Sequence, residues 1–302
     1  RAESCRSVQI ADLLNETLAQ ALRSKPIACV KGAGVAELRD DLLAVEEPLE
    51  IRVAGRSIAV VMRTPGRDRE LAAGFLVTED LIRRRDDVVD LIYCHDDGRG
   101  GVEQTAPAPQ ENILDVLLAS GVTVDFARLS RNVFTSSSCG ICSKATIEAV
   151  RAQFAPLSSP LSPRREVLAV LPEQLREAQA AFAATGGLHA SALFDSDGVL
   201  QVVREDVGRH NALDKVIGWA FFEERLPLAQ HILLVSGRVS FEIMQKALAA
   251  GIPCVAAISA PTSAAVEFAQ ESGQMLVGFL RPVTGHGSPE IRMNVYAGTL
   301  AE

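Results

Sequence analysis

The stretch SSSCGICSK, residues 136–144, places Cys139 and Cys142 three positions apart in a chain that is otherwise poor in cysteine. Such a pair can be half of a metal clamp, a redox dithiol, a sulfur nucleophile, or two small packed hydrophobes. A structural zinc site needs four ligands, and the sequence offers neither a second CxxC nor a His-x₃₋₅-His to complete one. Zinc deaminases join Pro-Cys-x-x-Cys to His-x-Glu, but Ser138 precedes Cys139 here and no His-x-Glu occurs. A thioredoxin-like dithiol remains open, because the pair precedes a helical pattern, although its serine-rich flanks are atypical. The local physics favours a reactive sulfur. Cys142 falls at the predicted start of the helix KATIEAVRAQF and close to Lys144, and both the helix dipole and the ammonium favour a thiolate. Cys139 sits in a Ser- and Gly-flanked loop able to reach a partner, and the flanks are too polar for a core strand.

A second group of polar residues lies at the ends of predicted strands. After HILLV come Ser236, Gly237 and Arg238; after PCVAAI come Ser259, Ala260, Pro261, Thr262 and Ser263; Arg281 closes QMLVGFLR. In open α/β sheets ligands bind beyond such ends, where helix N-termini direct free N–H groups at anions. The serines and Thr262 serve equally well as helix caps, so this signal has two readings. The segment Val203–Asn211, VREDVGRHN, packs charged and imidazole groups between a strand and a helix; it reads either as a solvated, capped turn or as an anion contact around Gly208, Arg209 and His210. His189 and His95 read as structural. No GxGxxG or Walker A sequence is present, which disfavours a dinucleotide dehydrogenase or a P-loop NTPase.

The elements that position these residues follow from periodicity. EPLEIRVAGRSIAVVMRT, residues 47–64, predicts a hairpin turning at Gly55, and Pro65 then starts a helix with Leu71, Phe75 and Leu76 on its apolar face. Residues 96–111 read as a loop and Ile113–Leu118 as a strand. PLSSPLSPRR, residues 156–165, breaks the helix after the thiols, and a further helix is expected from about Pro172 to Thr185. Two strands follow, LHASALFDSDG and VLQVVRED, then a helix in NALDKVIGWAFFEE. The chain ends in a strand–helix–strand–helix–strand run from His231 to Arg281, which implies parallel strands with right-handed crossovers. The expected organisation is an N-terminal extension (1–46), a small α+β domain (47–135), and the cysteine loop with an α/β domain (136–302).

Composition agrees with an α/β class. In 302 residues, 48% are hydrophobic but only 5% aromatic, which suits aliphatic strands packed by alanine-rich helices. A net charge of −8 argues against a nucleic-acid surface, so any anion site must be built locally. No apolar run reaches the roughly 18 residues of a membrane helix. The helical spacing of Ser7–Leu22 contains Asp12 and Glu16, unlike a signal-peptide core, so no export signal is expected. Cys5, Cys29, Cys94 and Cys254 are irregularly spaced and do not form a secreted disulfide framework; a reducing cytoplasm is the expected setting.

Together the motifs resemble the FdhD/NarQ family of formate dehydrogenase accessory sulfurtransferases. The resemblance runs from about Glu47 to Ala297 through TPGRDRELAAGFLVTEDLI, SSSCGICSKATIE, REDVGRHNALDKVIG, LLVSGRVSFEIMQKALAAGIPCVAAISAPTSAAVEFA, and GFLRP with a later NVYAG. It implies a cytoplasmic, homodimeric sulfurtransferase that takes persulfide sulfur from a cysteine desulfurase. The sulfur would pass to molybdenum bis(molybdopterin guanine dinucleotide), Mo-bis-MGD, for the formate dehydrogenase apoenzyme, with guanine nucleotides as mimics of that cargo. It also implies a cytidine-deaminase-like, three-layer C-terminal fold without the deaminase residues. By position, Cys139 matches the persulfide-bearing cysteine and Cys142 its partner, while Phe279, Leu280, Arg281, Pro282, Val283 and Thr284 match the cofactor-contacting segment. The nucleotide ends would anchor near Arg238 and Arg281. Two features depart from the family pattern: Ser143 replaces a usual Gly, and VTGHGSPEI separates GFLRP from RMNVY. A redox dithiol, a zinc module, and a cofactor chaperone without sulfur chemistry are the competing readings.

Overall fold

The computed structural model describes residues 17–32, 34, 36–94, 112–124, 126, 154–158, 160–282 and 291–302. A helical stretch ends at Ala21, and an antiparallel ribbon follows, β1 (Leu22–Cys29) and β2 (Glu37–Ala44). The helical spacing read up to Leu22 therefore stops just before it. Pro26 lies in β1, where the missing N–H and fixed φ exclude a helix but are tolerated in a strand with no neighbour on one side.

The predicted hairpin is present as β3 (Glu47–Val53) and β4 (Arg56–Arg63), turning through Ala54 and Gly55, both at positive φ. Helix α1 (Asp68–Thr78) follows and buries Leu71, Phe75 and Leu76 as its spacing requires. Strands β5 (Val88–Tyr93) and β6 (Ile113–Leu118) complete a four-stranded sheet of order β4-β3-β6-β5.

Beyond residue 160 lie α2 (Arg165–Ala178), α3 (Ala180–Thr185), β7 (His189–Asp195), β8 (Leu200–Asp206) and α4 (Arg209–Phe222). They are followed by β9 (His231–Val235), α5 (Phe241–Ala249), β10 (Cys254–Ala257), α6 (Ser263–Ser272), β11 (Met275–Pro282) and β12 (Ile291–Ala297). The single helix expected from Pro172 is two helices, and the first starts at Arg165. Pro172 removes one backbone donor inside α2, but Val167, Leu168, Leu171 and Leu175 anchor that helix to the sheet and hold it through the break.

The six-stranded sheet has the order β12-β11-β10-β9-β7-β8, with β9, β10 and β11 mutually parallel as the alternation implied. Successive residues point to opposite faces. Ile232, Leu234, Cys254 and Ala256 face α2, whereas Leu233, Val235, Val255 and Ala257 face α4, α5 and α6. This is a three-layer α/β arrangement. Its helical side merges with the four-stranded unit into one core, because α1 lies directly on α4. A Cβ on Gly74 would sit 1.8 Å from the Asp214 carbonyl oxygen, and one on Gly218 would sit 1.8 Å from that of Glu70. The two backbones touch at reciprocal glycines, so neither position admits a side chain.

Candidate functional site

The charge-rich segment 203–211 resolves into residues bound within the fold around β8 and α1 and residues turned towards the strand ends. Arg204 donates to Glu70, with Nη2 2.8 Å from Oε1. The Glu205 carboxylate accepts from the backbone N–H groups of Ala181 and Phe182 at 3.0 and 2.7 Å, and burial raises its pKa against the pull of those bonds. Asp206 is fully buried, accepts from Thr64 N, Gly208 N and Asn211 Nδ2, and pairs with Lys215 at 2.7 Å. A Cβ on Gly208 would lie 2.8 Å from Asn211 Nδ2, so glycine makes room for this bond. Four of the residues that looked functional in sequence are thus architectural. Arg209 and His210 lie on the other side, at the strand ends.

One turn further along α4, Asp214 and Lys246 of α5 form a second buried pair at 2.9 Å, and Lys246 Nζ also donates to Thr78 Oγ1 of α1 at 3.0 Å. Burial pushes Asp214 up to about 6 against the attraction of Lys246. Burial alone would lower the Lys246 ammonium, but Asp214, Glu242 and Glu79 outweigh it and the net shift is upward. A third pair, Arg63 with Asp68, is bidentate at 3.1 and 2.8 Å and ties β4 to the start of α1.

At the C-terminal ends of the parallel strands the arrangement is different. Ser236 Oγ accepts from Ala190 N at 2.9 Å, locking the chain after β9 against the start of β7. That contact brings His189 over Gly237, where a Cβ would lie 3.3 Å from Nδ1 of the imidazole and 3.7 Å from Arg209 Cβ. Burial lowers the His189 pKa, and the positive charges of Arg209 and Arg238 lower it further. His210 is within 3.3 Å of both Ser240 Oγ and Glu242 Oε2; burial takes its pKa down to about 4 despite Glu242. The Nε of Arg209 is buried without a hydrogen-bond partner. Among the described residues, neither Arg209 nor Arg238 pairs with a carboxylate.

The surface continues along the strand ends. Val239 and Pro261 form a parallel bridge, Thr262 N donates to Val239 O at 2.9 Å, and the Thr262 hydroxyl caps α6 through Ala265 N. Phe279 N donates to Ser259 O at 3.0 Å. Phe279 has φ 55, a left-handed backbone unusual for a bulky residue, and β11 loses register with β12 between Gly278 and Arg281. This bulge leaves the Phe279 ring half-buried, with Arg281 5.4 Å and Arg292 5.8 Å from its centroid.

Of the residues singled out for the cofactor, Phe279 and the exposed Arg281 reach this surface, whereas Leu280 is fully buried among the residues facing α2. Pro282 ends β11. Cys139, Cys142, Val283 and Thr284, with the helix expected after Cys142 and His95, lie outside the described residues. His189, read as structural, stands at one end of the strand-end surface, as the first residue of β7; only its place at the start of a strand hinted at this. The buried pairs had one signal in sequence: Asp214 and Lys215 interrupt an otherwise apolar helix. Among the described residues no group of three or more His, Cys, Asp or Glu could hold a metal ion, and no helix is long and apolar enough to cross a membrane.

An α/β protein with a basic, glycine-lined surface at its strand ends and a CxxC elsewhere in the chain is the class these features define. The family model described as FdhD/NarQ family matches residues 44–300, and the chain belongs to that family. It is 53% identical to the sulfur carrier protein FdhD of Mycolicibacterium paratuberculosis, over 87% of this chain and 93% of the relative. It is 49% identical to the sulfur carrier protein FdhD of Streptomyces avermitilis, over 88% of this chain and 90% of the relative. The crystal structure of a putative formate dehydrogenase accessory protein from Desulfotalea psychrophila superposes with a TM-score of 0.67, covering 92% of this chain and 97% of that one. At 23% identity that likeness supports the fold alone.

Proposed function

We propose that this protein is a persulfide carrier, a sulfurtransferase acting in formate dehydrogenase maturation. It accepts sulfur from a cysteine desulfurase and delivers it to a molybdenum cofactor of the Mo-bis-MGD type, which is its cargo. The observation that carries this reading is the CGIC pair, Cys139 and Cys142, within a chain 53% identical to a protein named as a sulfur carrier. In the loading step the Cys139 thiolate attacks the terminal sulfur of the desulfurase persulfide. A new S–S bond forms on Cys139, and the desulfurase thiolate leaves with the electron pair of the old one. In the release step Cys142 attacks Sγ of Cys139; a Cys139–Cys142 disulfide forms and sulfide departs as a ligand for molybdenum. A cellular thiol then reduces the disulfide. These steps belong in the cytoplasm, where reducing thiols are abundant.

The test is mass spectrometry after incubation with a cysteine desulfurase and cysteine. The reading expects one added sulfur atom on Cys139, absent in Cys139→Ala and abolished by dithiothreitol. An undiminished adduct in Cys139→Ala overturns it. Stoichiometric zinc on the two thiols favours a metal module, and accessory function that survives loss of both thiols favours a chaperone.

A further inference from the structure

We propose that the free edge of β12, with the apolar trough beside it, is a docking groove for an extended peptide. The peptide adds a strand to the six-stranded sheet, sets alternate apolar side chains into the trough, and places a carboxylate on Arg165. This surface lies on the α2 side of the sheet and owes nothing to the sulfur chemistry.

The edge is the first argument. β12 stands at the end of the sheet order and pairs with β11 on one side; among the described residues nothing pairs with it on the other. An edge strand offers a row of N–H and C=O groups to another chain unless charge, proline or a cover blunts it. β8, at the opposite edge, is blunted: Arg204 pairs with Glu70, Glu205 accepts from the start of α3, and Asp206 is fully buried. On β12 the run IRMNV, residues 291–295, has no proline, and its one charge, Arg292, lies 5.8 Å from the Phe279 ring centroid. Val295 is 41% exposed.

The trough is the second argument. Ile291, Met293 and Val295 alternate along β12 and share one face. With Leu300, Arg165 and Arg292 they line a cavity of about 480 Å³. Ile291, Met293 and Leu300 rest on the core beneath α2 and are only partly buried by it. A strand added to β12 puts every second side chain on that same face, so its apolar residues would cover what β12 leaves open.

Charge selects the occupant. Arg165 is exposed, begins α2, and among the described residues pairs with no carboxylate. Arg164, the N-cap, makes no side-chain capping bond, so the start of α2 adds its dipole to the guanidinium. A carboxylate on the incoming peptide answers both. Two-fold pairing of β12 with its counterpart in a second copy would instead bring two sets of arginines together, with no acidic residue lining the cavity to meet them. The complement is therefore an apolar peptide with an acidic end rather than this chain.

The experiment is fluorescence anisotropy with the full chain and a labelled hexapeptide of alternating valine and threonine that ends in aspartate with a free C-terminal carboxylate. The wild type is expected to bind it with a Kd below about 1 mM. Replacing the aspartate by asparagine and amidating the C-terminus should weaken binding tenfold or more in the wild type, but by less than about twofold in Arg165→Met. Methylating the backbone nitrogens along one edge of the peptide strand should cost tenfold or more, while methylation along its other edge is tolerated. Thermal melts check the folding of Arg165→Met; if it melts early, the modified peptides carry the test on the wild type alone. No binding by the wild type, or equal binding of the acidic and amidated peptides, overturns the proposal. Indifference to methylation along either edge, with octanoate competing as well as the peptide, assigns the trough to a small amphipathic acid and overturns strand addition. A wild-type dimer that excludes the peptide and is dissociated by Val295→Asp in sedimentation assigns the edge to a second copy and overturns it as well.

Discussion

Two clusters of charge lie within a few residues of each other on α4 and follow opposite rules. Lys246 meets Asp214 at 2.9 Å where α4 faces α1 and α5, Lys215 meets Asp206 at 2.7 Å where α4 faces Thr64 and the end of β8, and all four groups are almost completely buried. On the side facing the strand ends, Arg209 and Arg238 have no counter-ion among the described residues, and burial lowers the pKa of both His189 and His210. Burying an ion pair roughly breaks even at best, so the first cluster contributes geometry rather than net stability: it fixes how three helices meet. In the second cluster only His210 touches another helix, at Ser240 and Glu242 beside the start of α5. Arg209 Nε is buried there without a hydrogen-bond partner.

The largest way to break this contrast is to unpair the first cluster. Lys246→Met leaves the Asp214 carboxylate buried beside Thr78 without its cation, and urea melts should show a loss of about 3–5 kcal/mol. Adding Asp214→Leu should restore much of it, since an apolar pair of similar volume needs no counter-ion. A loss below about 1 kcal/mol from the single change would mean that the pair is not the tie between α1, α4 and α5 described above. Next in size is Gly218→Ala. Its Cβ would meet the Glu70 carbonyl oxygen at 1.8 Å, so α1 and α4 must separate, at a cost of about 1–3 kcal/mol or more. A melting curve unchanged by this substitution would refute the backbone contact.

A smaller effect links the two clusters through pH. His210 faces Glu242, Lys246, Arg209 and His189, and its folded pKa is about 4 against an ordinary 6.5. The unfolded chain therefore binds a proton more readily. The stability contributed by neutral His210 is fully present above about pH 6.5 and is lost as pH falls towards 4. Discounted for the ring's partial exposure, the loss is about 1–2 kcal/mol. Comparing wild type with His210→Gln across that window isolates the histidine, because Asp214 titrates in both proteins. Parallel curves would show that His210 is not held neutral.

Much of the second cluster's scaffold was legible in the chain, and most of the first was not. The alternation from His231 to Arg281 has strand and helix lengths that periodicity separates cleanly, and it appears as β9-α5-β10-α6-β11. Polar residues at strand ends followed from that topology, and Arg238 and Arg281 are found exposed there. The buried pairs were not legible, because each joins different elements: Asp206 ends β8 and Lys215 lies on α4, while Lys246 of α5 meets Asp214 of α4, 32 residues away, and Thr78 of α1, 168 residues away. The start of α2 was misplaced because Pro172 reads as a boundary, while the packing that overrides it is tertiary. Phe279 was named through the family resemblance, but its left-handed backbone has no glycine to announce it.

The smallest expected effect sharpens the comparison most. Arg209→Met keeps an aliphatic stem on α4 and removes a buried nitrogen that has no acceptor in the folded protein. If the cluster served the fold, this change would destabilise it as unpairing Lys246 does. If it serves a ligand, the unliganded protein should be unchanged within about 0.5 kcal/mol, or slightly more stable, because an unsatisfied donor has been deleted. Melts in the presence of saturating GDP should then separate the two proteins, since only the wild type gains stability by binding. A residue whose removal is silent in the empty protein and felt only with ligand bound is a binding residue by the same standard that makes Lys246 an architectural one.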